Sequence, residues 1–446
     1  MANNDIQPSN NAKQILTKAT DEEVANSVCD EYGVKYSSDG KKLIKAPKDI
    51  QEYTIKPGTE VICLQAFYRC ERLTSIEIPN SVTMIGYDAF YYCRVLSNVL
   101  IPNSVTYIGG TAFGRCDSLE SIVIPNSLKH IGNSVFRHCC NLTDVTISDS
   151  ITHIGPGAFK GCTSLKSIVI PISVTCIEEC AFEGCTSLSN ILLPNSDVCI
   201  ARYAFNYCSS LESIVIPDSI SHIDPEAFGN CRNLKHIRVN TGNRVYDSRD
   251  NCNAIIQTSD NMLLIVGCSE TIIPNTVTCI GDRAFSGRTD LTSITIPNSV
   301  TKIGNHAFER CTGLTYIDIP DSVCVIGADA FSGCTGLTSV NIPNSVTHIG
   351  FEAFFECTGL TSIEIPDSVT HIDHNAFDRC YNLKRVAVSS PVIYIGIWAF
   401  KECRNLRSFT FNYPPNPQTR IKIEIDQMAF MGCPIESLVI PLIKYN

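Results

Sequence analysis

Charge is scarce in this 446-residue chain: only 18% of its residues are Asp, Glu, Lys or Arg, and no Lys/Arg-rich run occurs. With a formal net charge of −10 the chain has no long-range attraction for a phosphate backbone, so nucleic acid is not an expected partner. Long apolar runs are also missing. None reaches the roughly 18 residues of a membrane-spanning helix, so no membrane span is expected. The opening MANNDIQPSNNAKQ has neither the basic n-region nor the apolar h-region of a secretory signal. A cytoplasmic location and a mature form without its signal both fit that reading. Catalytic signatures are absent as well: there is no G-x-S-x-G, no phosphate-cradling glycine loop and no H-E-x-x-H. The expectation is a non-enzyme without a cofactor.

What the chain has is repetition. Phe67, Phe90, Phe113, Phe136, Phe159, Phe182, Phe205 and Phe228 follow one another at intervals of 23 residues, and Phe285, Phe308, Phe331, Phe354, Phe377 and Phe400 resume the interval, with Phe430 displaced by seven. The shared text, best seen in LTSITIPNSVTKIGNHAFERC at 291–311, reads as one coil. Ile294 and Ile296 alternate with Ser293 and Thr295 as in a strand with one wet face, and Pro297 ends it because it has no ladder donor. Asn298 and Ser299 turn the chain, Val300 and Ile303 return to the core, and Gly304 permits a corner. Ala307, Phe308 and Cys311 form the buried side of one helical turn. No coil buries this face alone, so the coils must stack.

The expected fold is therefore a repeat solenoid: a leucine-rich-repeat-like stack of about 15 coils of 23 residues, mainly short β-strands with one helical turn per coil. Residues 1–32 are expected to be a flexible segment with a short helix from Asp21 to Cys29. A hairpin cap follows at 33–58 and the first array at 59–240. A hairpin insertion or internal cap is expected at 241–272, and the second array with its C-terminal cap at 273–446. NYPPNPQ (412–418) reads as a loop and IESLVIPLIKYN as a closing strand.

Twenty-four cysteines invite disulfides or metal, but fourteen of them sit three residues after the repeat Phe. In stacked coils their Cβ vectors run parallel about 4.8 Å apart, whereas a disulfide wants about 3.8 Å and convergence. Free buried thiols are the better reading. Six residues before the Phe, consecutive coils carry His130, His153, Cys176, Cys199 and His222. A straight file offers adjacent pairs where tetrahedral zinc needs four converging groups. The column, to which His348 and His371 also belong, is therefore read as half-exposed strand and not as a metal site. DSRDN at 247–251 misses the EF-hand spacing and reads as a hairpin turn.

The face on which such a stack would bind is the strand face. Its outward position between the two buried residues reads Leu100, Val123, Thr146, Val169, Leu192, Val215 and Arg238 in the first array; in the second it reads Thr295, Asp318, Asn341, Glu364, Ala387 and Thr410. An apolar stripe of this length marks a protein interface or an oligomer contact, unless strand propensity alone selects its residues. Leu100, Val123, Val169, Leu192 and Val215 are the candidate partner-binding residues.

The pattern L-x-x-I-x-I-P-[ND]-S-V-x-x-I-G-x-x-A-F-x-x-C resembles the BspA-type leucine-rich repeat over roughly residues 55–446. Local departures are Val135 for Ala, Arg288 for the ladder Cys, and Asp197 for Val. The resemblance implies a cell-surface or secreted adhesion or recognition protein that engages a protein or glycan ligand on host, matrix or neighbouring cells. The alternative is an intracellular scaffold or a homo-oligomer formed through the stripe, favoured by the many free thiols.

Overall fold

A computed structural model describes residues 13–258, 263–389, 392, 394–411 and 424–439. It divides into two compact units, Met1–Phe228 and Gly229–Asn446, each of them a β-solenoid. In the first unit the I-x-I text forms one set of parallel pairs, with Ser121–Val123 on Asp144–Thr146 and Ser167–Val169 on Asn190–Leu192. The x-I-G text forms a second: His130–Ile131, His153–Ile154, Cys176–Ile177, Cys199–Ile200 and His222–Ile223 pair in order. Equivalent residues face one another, so a 23-residue sequence period becomes one inter-strand step. The second unit repeats both ladders, for example Tyr316–Asp318 on Ser339–Asn341 and His348–Ile349 on His371–Ile372. The archetypal text at 293–296 departs from expectation, because no strand forms there and Ile294 is only half-buried.

In place of the helical turn expected over A-F-x-x-C stands a run of overlapping turns that also links coils. Ala89, Tyr91 and Cys93 donate their N–H groups three residues back, to Gly86, Asp88 and Phe90. Asp88, Phe90 and Tyr92 donate instead to Gly110, Ala112 and Gly114 of the next coil, at 3.1, 2.7 and 2.9 Å. A helix would turn its N–H groups back along its own coil and make no link to the next coil at this turn; alternation serves both. It requires left-handed backbone at alternate sites, as at Asp88 (φ 53°) and Tyr92 (φ 67°).

Several repeat letters are explained by bonds between coils. Ladder thiols donate to the Phe carbonyl of the preceding coil, as Cys93 Sγ does to Phe67 (3.2 Å) and Cys162 Sγ to Phe136 (3.2 Å). All 24 cysteines are free. The repeat serine, read from sequence as a turn residue, also donates across coils, Ser104 Oγ to Val82 O at 2.7 Å and Ser322 Oγ to Val300 O at 2.7 Å. The Phe rings stack, Phe159–Phe182 and Phe182–Phe205 both at 5.3 Å, and are almost wholly buried. Burial of this kind is worth about 3–5 kcal/mol per ring against Ala. The corner glycine answers a close approach and not a special φ: a Cβ on Gly109 would lie 2.4 Å from Tyr87 N of the preceding coil. Where Asp197 replaces Val, Val198 takes the buried place one residue later.

Both hairpins have one plan. Lys35–Tyr36 runs antiparallel to Lys42–Lys45, which then pairs in parallel with Val61–Ile62. Ala254–Gln257 runs antiparallel to Leu263–Gly267, which pairs in parallel with Cys279–Ile280. Of the segment expected to be loose, residues 13–32 are described, and several contacts tie them down. Asp21–Ala25 is a short helix closed by a Thr20–Glu23 capping box. It is shorter than expected, and Val28–Cys29 pairs as a strand with Lys35–Tyr36. Thr17 is buried and its carbonyl accepts from Leu64 N. The expected loop at 412–418 lies outside the described residues, as does most of the closing strand, of which Ser437–Val439 pairs with Ser408–Phe411.

Candidate binding surface

The strand face is set by pleat. In Ser121–Val123 the middle Ile122 is buried and its neighbours are exposed, a pattern that recurs in Asp144–Thr146, Ser167–Val169 and Asn190–Leu192. The five stripe residues are all exposed: Leu100 75%, Val123 56%, Val169 60%, Leu192 59% and Val215 48%. Val169 stands directly opposite Leu192, and Val123 stands opposite Thr146, which interrupts the apolar run. Ile172, 68% exposed, adds to the apolar surface of this region. Its signal was present in the sequence, because it stands where other coils carry the turn Asn or Asp.

In the second unit the corresponding column holds Asp318 opposite Asn341 and Glu364 opposite Ala387. Ala387 departs from its expected outward place: it is 4% exposed, a methyl too short to reach past its neighbours to solvent.

The His/Cys column is also in register, His153 opposite Cys176, Cys176 opposite Cys199 and Cys199 opposite His222. Burial holds His130 and His153 below the ordinary imidazole range. The Cys176 thiol donates to Cys199, which lowers Cys199 to about 6 and raises Cys176. Among the described residues no group of three or more His, Cys, Asp or Glu side chains converges as a metal site would. His348 and His371 stack at 4.5 Å, each bonded at Nδ1 to its preceding threonine. In DSRDN the Asp247 carboxylate accepts from Arg249 Nε at 3.0 Å, and the Trp398 ring packs under Lys401 Nζ at 4.6 Å. Among the described residues the geometry offers extended faces.

The family model of the BspA type leucine rich repeat region matches residues 45–166, 152–254, 265–383 and 325–445. The chain belongs to this family. Among solved structures this BspA-type chain is similar to a leucine rich cell surface protein of Faecalibacterium prausnitzii, with 28% identity, a TM-score of 0.58, and coverage of 89% of this chain and 98% of that one. A leucine-rich repeat protein of Bacteroides ovatus shares 26% identity at a TM-score of 0.51, covering 91% and 90%. The pneumococcal vaccine antigen PcpA, 16% identical with a TM-score of 0.55 over 91% and 90%, shares the fold. No curated protein sequence matches significantly. Among the described residues no helix is long and apolar enough to cross a membrane.

Proposed function

We propose that this BspA-type repeat protein is a non-enzymatic binding protein of the cell surface. Its partner is a protein on a host, matrix or neighbouring cell, docked on the stripe from Leu100 to Val215. The observation that carries the reading is the stripe itself: five large apolar side chains, each about half exposed or more, at equivalent positions of their coils, with Thr146 between Val123 and Val169. An apolar column of this length costs solubility unless something covers it. The similarity to a cell surface protein of the same repeat class supports the location.

Val169→Asp with Val215→Asp puts two charges on exposed positions, so folding should be unchanged while binding of the labelled chain to intact cells and matrix proteins falls at least tenfold. Equal binding by the variant would discard the stripe. Protease shaving of intact source cells, with peptides identified by mass spectrometry, tests location; array peptides appearing only after lysis would remove the surface role. Self-association through the same stripe is the second reading, favoured by the exposed Val169 and Leu192 standing opposite each other in register, and sedimentation of both forms reads it directly.

A further inference from the structure

We propose that the turn face of the first coils is a second binding site, separate from the strand stripe, and that it takes an acidic polysaccharide. It begins two residues after each repeat Phe. That offset needs left-handed backbone, and the fifth and sixth coils meet the need with Gly161 and Gly184, both at φ 73°. The first three coils place Arg69 (φ 59°), Tyr92 (φ 67°) and Arg115 (φ 56°) there instead. Other coils also place side chains at this offset, as with His138 and Arg379 (φ 58° and 59°), so what marks the first three is residue type, two arginines and a tyrosine.

The side chains form one cluster. The rings of Tyr68 and Tyr91 stack at 5.7 Å and 15°, and Tyr92 packs against Tyr91 at 5.2 Å. The guanidinium groups of Arg69, Arg94 and Arg115 lie 5.1, 4.6 and 5.4 Å from the Tyr92 ring centre. Arg94 pairs with Asp117 at 3.4 Å; among the described residues neither Arg69 nor Arg115 has a carboxylate within 4 Å, and the hydroxyls of Tyr68 and Tyr91 have no protein partner. Glu71 and Asp49 line the neighbouring cleft together with Lys48 and Arg72. At the same turns in the second unit the charge is paired internally, with Arg379 on Glu356 at 2.8 Å and Arg404 on Glu402 at 2.9 Å. Unpaired guanidinium groups in a chain of net charge −10 select a locally anionic ligand.

The rings decide which anion. Single-stranded nucleic acid is held by bases stacking on free aromatic faces, but here the faces are occupied. Tyr68 is taken by Tyr91 and by Lys48 Nζ at 5.2 Å, and Tyr92 by three guanidiniums. What remains are phenol hydroxyls beside planar forks that match carboxylate or sulfate. That combination suits a hydroxyl-rich chain of charged sugars, and coils stacked in register repeat the same contacts along it.

The test uses the full chain with heparin (sulfated), polygalacturonate (carboxylated), neutral dextran and a single-stranded oligonucleotide as probes. The expected result is binding of heparin, polygalacturonate or both, the pair distinguishing sulfate from carboxylate, with none to dextran and at least tenfold weaker binding to the oligonucleotide. Arg69→Gly with Arg115→Gly, which installs the residue the fifth and sixth coils use at this offset, should keep or raise the thermal midpoint and weaken glycan binding at least tenfold. Tyr68→Leu with Tyr91→Leu should weaken it several-fold at constant charge, while Arg379→Gln and the Val169/Val215 pair leave it unchanged. Binding that survives the glycine variant, ignores the tyrosines or prefers the oligonucleotide would overturn the site without touching the stripe.

Discussion

The two hairpins share one topology and set different chemistry beside the first phenylalanine of the array that follows. In the first unit Tyr53 closes the stack, its ring 6.1 Å from Phe67. Its hydroxyl bonds the Tyr36 hydroxyl and donates to Asp30 Oδ2, both at 2.5 Å. In the second unit a glycine and an arginine stand there. Gly267 lies so close to the Phe285 ring that a Cβ would meet it at 2.1 Å. Beside it Arg288 takes the place of the ladder cysteine, 1% exposed, with Nε donating to Gly267 O at 2.9 Å and Nη1 to Cys231 O. A thiol has one weak donor; the guanidinium has five, which suits it to a site where it must reach a hairpin carbonyl and the carbonyl of Cys231 together. One hairpin topology can thus pack against an array through either a ring or a buried cation.

The largest difference expected from this contrast is at Arg288. Arg288→Ala leaves dry carbonyls and a cavity and should destabilise the second unit by about 3–5 kcal/mol. Hydrogen exchange would show protection lost around 231–311 and retained in the coils of Phe67 to Phe205; uniform loss, or none, would mean that the arginine does not hold the hairpin to the array. Tyr53→Phe keeps the ring and removes the hydroxyl that joins Tyr36 to Asp30. The expected cost is about 1–3 kcal/mol, confined to the first hairpin and read as a lowered urea midpoint. A neutral result would assign the closure to the ring alone.

Much of this was written in the sequence. The Phe interval gave the coil length, and the alternation in I-x-I gave the strand and the outward places of Leu100 to Val215, because pleat fixes which side faces water. Arg288 could be seen to break the cysteine column. What it does there could not, since its acceptors belong to Cys231 and Gly267, 57 and 21 residues away. The turn was misread as helical for a related reason. A-F-x-x-C has the spacing of a helix face, but half of its N–H groups are claimed by the next coil, a competition that a single repeat does not display. The turn-face cluster was invisible because Tyr68, Tyr91 and Arg115 occupy positions the repeat leaves variable, and only stacking brings them together.

The smallest effect separates the two arrays along their shared x-I column, where the first carries Cys176 and Cys199 and the second His348 and His371. In the first array the neighbouring thiol donates to Cys199, and the His222 charge adds a lesser stabilisation of the thiolate, so Cys199 ionises near pH 6. The thiolate is the reactive form. Alkylation of Cys199 should therefore rise through a midpoint near pH 6, while ladder thiols such as Cys185, pushed up to about 12 by burial, stay unlabelled. Cys176→Ala removes the donor and should move the Cys199 midpoint up toward the ordinary thiol value of about 8.5; His222→Ala should move it less. A wild-type midpoint already at the ordinary value would show that the two thiols do not share a proton and that the column differs between the arrays in residue type alone. Stability should not change in either variant, because both side chains lie on the wet side of a strand whose core contacts are made by Ile177, Ile200 and Ile223.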